Sequence, residues 1–174
     1  MNKFTLSKTN PLYSKLDHID NSVFKLCGLE LSKVEVELES QNYSAHRFQL
    51  NGRNVVFRTA KITPTKIGQF VTIWKRNKSG ITVPFDISDN VDLYIIATRK
   101  ANNFGLFIFP KSILYEFKVL SGNASDGKRG MRVYPAWDMP TSKQALKSKD
   151  WQAKYFLDLS EEKKTDMETA KRLL

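Results

Sequence analysis

Two short stretches of this chain, Val91–Thr98 and Phe104–Phe109, are apolar almost without interruption. A strand with one face in water alternates apolar and polar residues, so a run without alternation needs cover on both faces. The pair therefore predicts interior strands in a layered fold, with other elements packed above and below them. No stretch approaches the roughly 20 apolar residues that a bilayer-crossing helix requires.

The surrounding elements suit that arrangement. Asn10-Pro11 sets an N-cap residue type before proline at the first helical position. Leu12, Leu16, Ile19, Val23 and Leu26 then recur at helical spacing until Gly28, which predicts an amphipathic helix over 11–27. Lys33–Glu39 alternates strictly, with Val34, Val36 and Leu38 on one side and Glu35, Glu37 and Glu39 on the other. That is the pattern of a short strand with an acidic edge. His46–Leu50 and Asn54–Ile62 flank Asn51-Gly52, a hairpin signal. Gln69–Arg76 reads as a third strand, and Met131–Tyr134 as a brief one. Pro110 opens a short helix over Lys111–Phe117, and Thr141-Ser142-Lys143-Gln144 has capping-box form. The helix it starts is predicted to run to about Asp158, and residues 159–174 read as a charged, weakly helical appendage. With 174 residues, no internal repeat and no linker, the chain reads as one α/β domain.

Charge narrows the function classes. Lys and Arg number 28 against 18 Asp and Glu, a net charge of +10, which makes an anionic partner the first expectation. Residues 53–78 carry +7 with no acidic residue, and 126–157 carry +4. Both regions interleave aromatics: Phe57, Phe70 and Trp74 in the first, Tyr134, Trp137, Trp151 and Tyr155 in the second. Phosphate contacts with base stacking explain that combination; a merely solubilising surface is the alternative. A lone cysteine, Cys27, excludes an internal disulfide and fits a reducing cytoplasm. The start of the chain lacks the continuous apolar segment of a secretory signal, so the expected protein is soluble and cytoplasmic, with no membrane partner.

Two constellations concentrate the candidate contacts. In Arg58–Gln69, the residues Arg58, Lys61, Thr63, Thr65, Lys66 and Gln69 surround a Pro/Gly-shaped turn, and Trp74, Lys75 and Arg76 follow. Hydroxyls, ammonium groups and loop N–H groups are what a phosphate needs. In Asp126–Pro135, glycines bracket Lys128-Arg129, and Arg132 and Tyr134 follow on one side of the next strand. No P-loop spacing is present, so a triphosphate-binding fold is not indicated. Plain hairpin and flexible turn remain the alternatives for the two segments.

Long, ordered motifs carry a resemblance. The segments 43–48, 57–76, 107–111 and 127–138, with Gln144-Ala145, resemble the MepB-like family over roughly residues 35–157. The resemblance implies a central mixed sheet flanked by helices, with a restriction-endonuclease-like core, and no settled set of catalytic residues. Such nucleases hold Mg²⁺ with an acid on one strand and an acid-x-Lys on the next. Asp92 is the one catalytic candidate, with Glu35, Glu37 or Glu39 as further carboxylates. The second half of the pattern is missing, because Phe109 precedes Lys111 and Ile73 precedes Lys75 at the required spacing. The leading expectation is a nucleic-acid-binding protein, DNA before RNA, without robust catalysis and without a cofactor. An Mg²⁺-dependent nuclease and a nucleotide or small-anion binder are the alternatives.

Overall fold

The two apolar runs become neighbouring interior strands, fourth and fifth in a six-stranded sheet. The computed structural model describes residues 11–123, 125–161 and 164–174. In chain order its helices are α1 (Pro11–Ile19), α2 (Lys111–Glu116), α3 (Lys143–Ala153) and α4 (Met167–Leu173). Its strands begin with β1 (Leu31–Val36), β2 (His46–Leu50), β3 (Arg53–Thr59), β4 (Lys61–Thr63) and β5 (Lys66–Thr72). They continue with β6 (Trp74–Arg76), β7 (Thr82–Pro84), β8 (Leu93–Lys100) and β9 (Asn103–Pro110). The last four are β10 (Ser121–Gly122), β11 (Ser125–Asp126), β12 (Gly130–Val133) and β13 (Phe156–Asp158). The main sheet has the order β1-β2-β3-β8-β9-β13, and its one parallel pair is β3 with β8.

Alternation along the central strands sorts the core into two layers. Val55, Phe57, Leu93, Ile95, Ala97, Leu106 and Ile108 face one side and meet Leu16, Ile19, Val23 and Phe24 from α1 and the helical turns after it. Ala170 and Leu173 of α4 pack into the same cluster. Val56, Tyr94, Ile96, Phe107 and Phe109 face the other side. Their cover is mostly not helical: a small sheet of order β12-β5-β4 contributes Val71, Met131 and Val133, Ile73 follows directly after β5, and α2 adds Leu114. The architecture is mixed α/β with a central mixed sheet and few helices.

Several sequence expectations change here. Asn10, the expected cap of α1, lies outside the described residues. The first helix is interrupted: α1 passes into a π turn at Asp20–Phe24 and a 3₁₀ turn at Lys25–Cys27, ended by Gly28 in the left-handed region. The strand expected over Lys33–Glu39 has a bulge between Ser32 and Glu35, where Lys33 has φ +50°, and ends at Val36. Beyond it the expected sides exchange, with Glu37 turned inward and Leu38 82% exposed. The strand expected at Gln69–Arg76 divides at Ile73: its N–H continues the β5 ladder to the Arg129 carbonyl at 2.9 Å, while Trp74–Arg76 beyond it pairs with β7 instead. The helix expected to reach Asp158 stops at Ala153, and Phe156–Asp158 pairs with β9 as an edge strand. Residues 159–174 are not a surface appendage, since Leu159, Ala170 and Leu173 are buried.

The link into β8 is fastened by Asp86. Its carboxylate accepts hydrogen bonds from the Ser88 hydroxyl at 2.6 Å, the Ser88 N–H at 2.9 Å and the Ser121 hydroxyl at 2.8 Å. The Ser88 bonds, helped by Ser121, hold the group down at about 2, against an ordinary 3.8. Its folded value lies below its unfolded one, so its contribution is complete above the ordinary value and is lost as pH falls through about 2. Asp86→Asn is expected to flatten stability against pH within that acid window. Urea denaturation at stepped pH measures it; an unchanged acid limb contradicts the assignment.

Candidate nucleic-acid interface

The small sheet that covers the second core also forms one wall of a groove of about 870 Å³. Strand β12 lies between β5, its ladder partner, and α3. Gln152 of α3, almost fully buried, fixes that second contact. Its amide donates to the Arg132 carbonyl at 2.9 Å and its Oε1 accepts from the Tyr134 N–H at 2.9 Å. Ser142 caps α3 by accepting from the Ala145 N–H at 3.3 Å. The groove therefore runs between the β4–β5 turn and the first turns of α3. Thr65, Lys66 and Ile67 line one side, Lys128, Met131 and Arg132 follow, and Thr141, Gln144 and Lys147 line the α3 side.

Basic residues from two distant parts of the chain thus share one concavity: Lys66 from the first, Lys128 and Arg132 from the second, with Lys147 from α3. Among the described residues none of these four forms an ion pair. Arg132 is itself a structural part of the wall. Its guanidinium donates to the Gly68 carbonyl at 3.0 Å, the Lys66 carbonyl at 3.4 Å and the Thr63 hydroxyl at 2.7 Å, holding the β4–β5 turn against β12. Tyr134 reaches the groove but is only 8% exposed, and burial pushes its phenol up from the ordinary value.

The fit of Tyr134 depends on Gly68. That residue has φ +86°, and a Cβ there would lie 2.6 Å from the Tyr134 ring. Gly68→Ala therefore meets backbone strain and overpacking together, and is expected to cost about 1–3 kcal/mol. Thermal denaturation would show it; a neutral substitution contradicts the packing argument.

The remaining sequence candidates lie elsewhere. Arg58 and Gln69, expected at the phosphate surface, are about 1% exposed and are corrected to interior residues. Arg58 pairs with Glu37, which also binds the Arg47 Nε at 2.5 Å, and burial lowers the Arg58 pKa while Glu37 opposes the shift. Gln69 spends its amide on the Arg99 backbone, at 3.3 and 3.4 Å. Lys75 pairs with Asp89, and Arg76 pairs with Glu39 at 3.4 Å while lying over the Trp74 ring at 5.7 Å. Arg129 donates to the Thr82 carbonyl at 3.2 Å, and Lys61 stands 5.0 Å from the Tyr43 ring centroid. None of these six candidates, nor Trp74 or Thr63, lines the groove.

The carboxylates considered for Mg²⁺ do not converge. Asp92 accepts from the Asn54 N–H at 2.8 Å, at the start of the β3/β8 pair. Glu37 meets Arg58, three residues further along β3 than Val55, the partner of Leu93. Three residues of strand amount to roughly 10 Å, too far to share an ion. Among the described residues no three His, Cys, Asp or Glu side chains are grouped to hold a metal.

Sequence reasoning missed Lys147, Gln152 and the pairing of Phe117 with Trp151. Those two rings stack at 4.1 Å between centroids and 7° between planes, and both line the groove. Trp151 was legible as an aromatic in a basic region, but its partner lies 34 positions away and no local pattern joins them.

The profile of the MepB-like family matches residues 37–158, well over half of the chain. The chain belongs to the MepB-like family. The crystal structure of MepB superposes on it with a TM-score of 0.73 at 30% identity, covering 84% of this chain and 96% of that one. A bacterial homing endonuclease gives a TM-score of 0.43 at 10% identity, over 87% of this chain and 93% of its own, too loose a likeness to argue from. No curated protein matches the chain. Every residue that lines the groove falls within the span matched to the MepB-like family.

Proposed function

We propose that this MepB-like protein binds nucleic acid, DNA in preference to RNA, through the basic groove, on a nuclease-like scaffold and without robust catalysis, in the cytoplasm. One observation carries the reading: Lys66, Lys128, Arg132 and Lys147 line one groove, and among the described residues none has a carboxylate partner. Four converging, unpaired cations repel one another, and a chain of phosphates relieves that repulsion by displacing its own counterions. The mixed sheet with its parallel β3/β8 pair is in keeping with a restriction-endonuclease-like core. The separation of Asp92 from Glu37 favours binding over metal-assisted cleavage.

The test is fluorescence anisotropy with labelled DNA and RNA oligonucleotides over a salt series. If the four cations each meet one phosphate, log K should fall against log salt with a slope of about −3. Labelled DNA incubated with the protein and Mg²⁺ should stay intact. Affinity indifferent to salt, or no binding at low salt, overturns the proposal.

A further inference from the structure

We infer that the groove takes single-stranded nucleic acid, with its bases unpaired, and not double-stranded backbone. The inference rests on the nucleic-acid reading above and names its substrate class. Size is the first reason. At about 870 Å³ the concavity falls within the roughly 300–1,000 Å³ of sites that enclose small ligands. A duplex is convex, and its phosphates engage open faces or elements laid into its grooves. A groove of this size between two walls is entered more readily by a strand that can bend into it than by a rigid duplex.

The lining is the second reason. Lysines alone would suit any phosphate chain, but this groove also holds the stacked Phe117–Trp151 pair and the half-exposed Ile67. The two rings cover one face of each other, and Trp151 also leans on Phe109 at 5.3 Å. The aromatic surface offered to a base is therefore what the stack leaves toward the groove. Bases with free faces can use it, and in a duplex those faces are covered by neighbouring pairs. The cations come from three separate elements around the rings: Lys66 on β5, Lys128 before β12 and Lys147 on α3. A strand entering the groove would therefore meet positive charge along its backbone and aromatic surface under its bases.

The experiment compares three probes at one low salt concentration: a short single-stranded DNA, the blunt duplex of the same sequence, and a mononucleotide as competitor. The single strand is expected to bind at least about tenfold more tightly than the duplex, on the scale of one stacked base. It should quench tryptophan fluorescence in the native protein and lose that quenching in Trp151→Phe. Lys147→Glu, a reversal at an exposed position of α3, should weaken single-strand binding with the melting curve unchanged. Equal or tighter duplex binding overturns the inference while leaving the nucleic-acid reading in place. Single-strand binding untouched by Lys147→Glu overturns it as well, because the strand then lies elsewhere. A mononucleotide that competes as well as the oligonucleotide overturns it in favour of a small-ligand site. Failure of every polymer to bind at low salt overturns both readings.

Discussion

Reversing Lys66 and Lys128 together, as Lys66→Glu with Lys128→Glu, is expected to lower oligonucleotide affinity by about a hundredfold at low salt and to flatten its salt dependence by about two units of slope. Both side chains are exposed, and both line the groove from different elements. Neither forms an ion pair among the described residues, so reversal removes attraction to phosphate without stranding a protein carboxylate. Arg76→Ala is the contrasting control. Its guanidinium belongs to Glu39 and the Gly80 carbonyl, outside the groove, and affinity should change less than about twofold. Anisotropy titrations over a salt series give both numbers. The double variant removes four units of charge and the control one. A loss in Arg76→Ala of a quarter of the double variant's on the logarithmic scale, about threefold or more, would therefore mean that binding follows net charge and not the groove.

The second large effect is on stability. Glu37→Ala leaves the Arg58 guanidinium buried under the second core without its carboxylate, and is expected to cost about 3–5 kcal/mol. The Phe85 ring lies beneath both arginines, at 5.4 Å from Arg47 and 6.0 Å from Arg58, and cannot replace the carboxylate. Removing the partner as well, in Glu37→Ala with Arg58→Leu, should recover most of the loss, since an apolar pair does without the charges altogether. Urea midpoints at constant slope measure both. A single variant that costs under about 1 kcal/mol would show that Arg58 is satisfied by other means.

These two predictions mark where sequence reading succeeds and where it stops. The uninterrupted runs of β8 and β9 were legible because burial on both faces leaves a one-dimensional trace. So was the Asn51-Gly52 hairpin, where both residues take positive φ, +46° and +81°, as a tight two-residue turn demands. The groove was half legible, through the two basic segments. What a segment charge cannot show is pairing across the fold. The acid-free stretch 53–78 receives its carboxylates from elsewhere: Glu37 meets Arg58, Glu39 meets Arg76 and Asp89 meets Lys75. Three of its seven positive charges are matched in this way. The split of Gln69–Arg76 was hidden for a similar reason, since its first part pairs with β12 and its last three residues with β7, and no local pattern marks the change of partner. The edge strand at Phe156–Asp158 follows a helix pattern without a break signal, and only its ladder to β9 decides its state.

The first core is sealed by the two ends of the described chain, with α4 packed against the 3₁₀ turn at Lys25–Cys27. A ribosome adds about 5–20 residues per second, so on the order of ten seconds separates the synthesis of the two partners. From the completion of β9 to that of α4, roughly 60 residues or about 3–12 seconds, the sheet face bearing Phe57, Ile95 and Ile108 lacks the cover of Ala170 and Leu173. The groove-forming residues 65–152 are all made earlier. The newborn protein can therefore make its groove before it can close its back, and in those seconds a chaperone has the strongest reason to hold it.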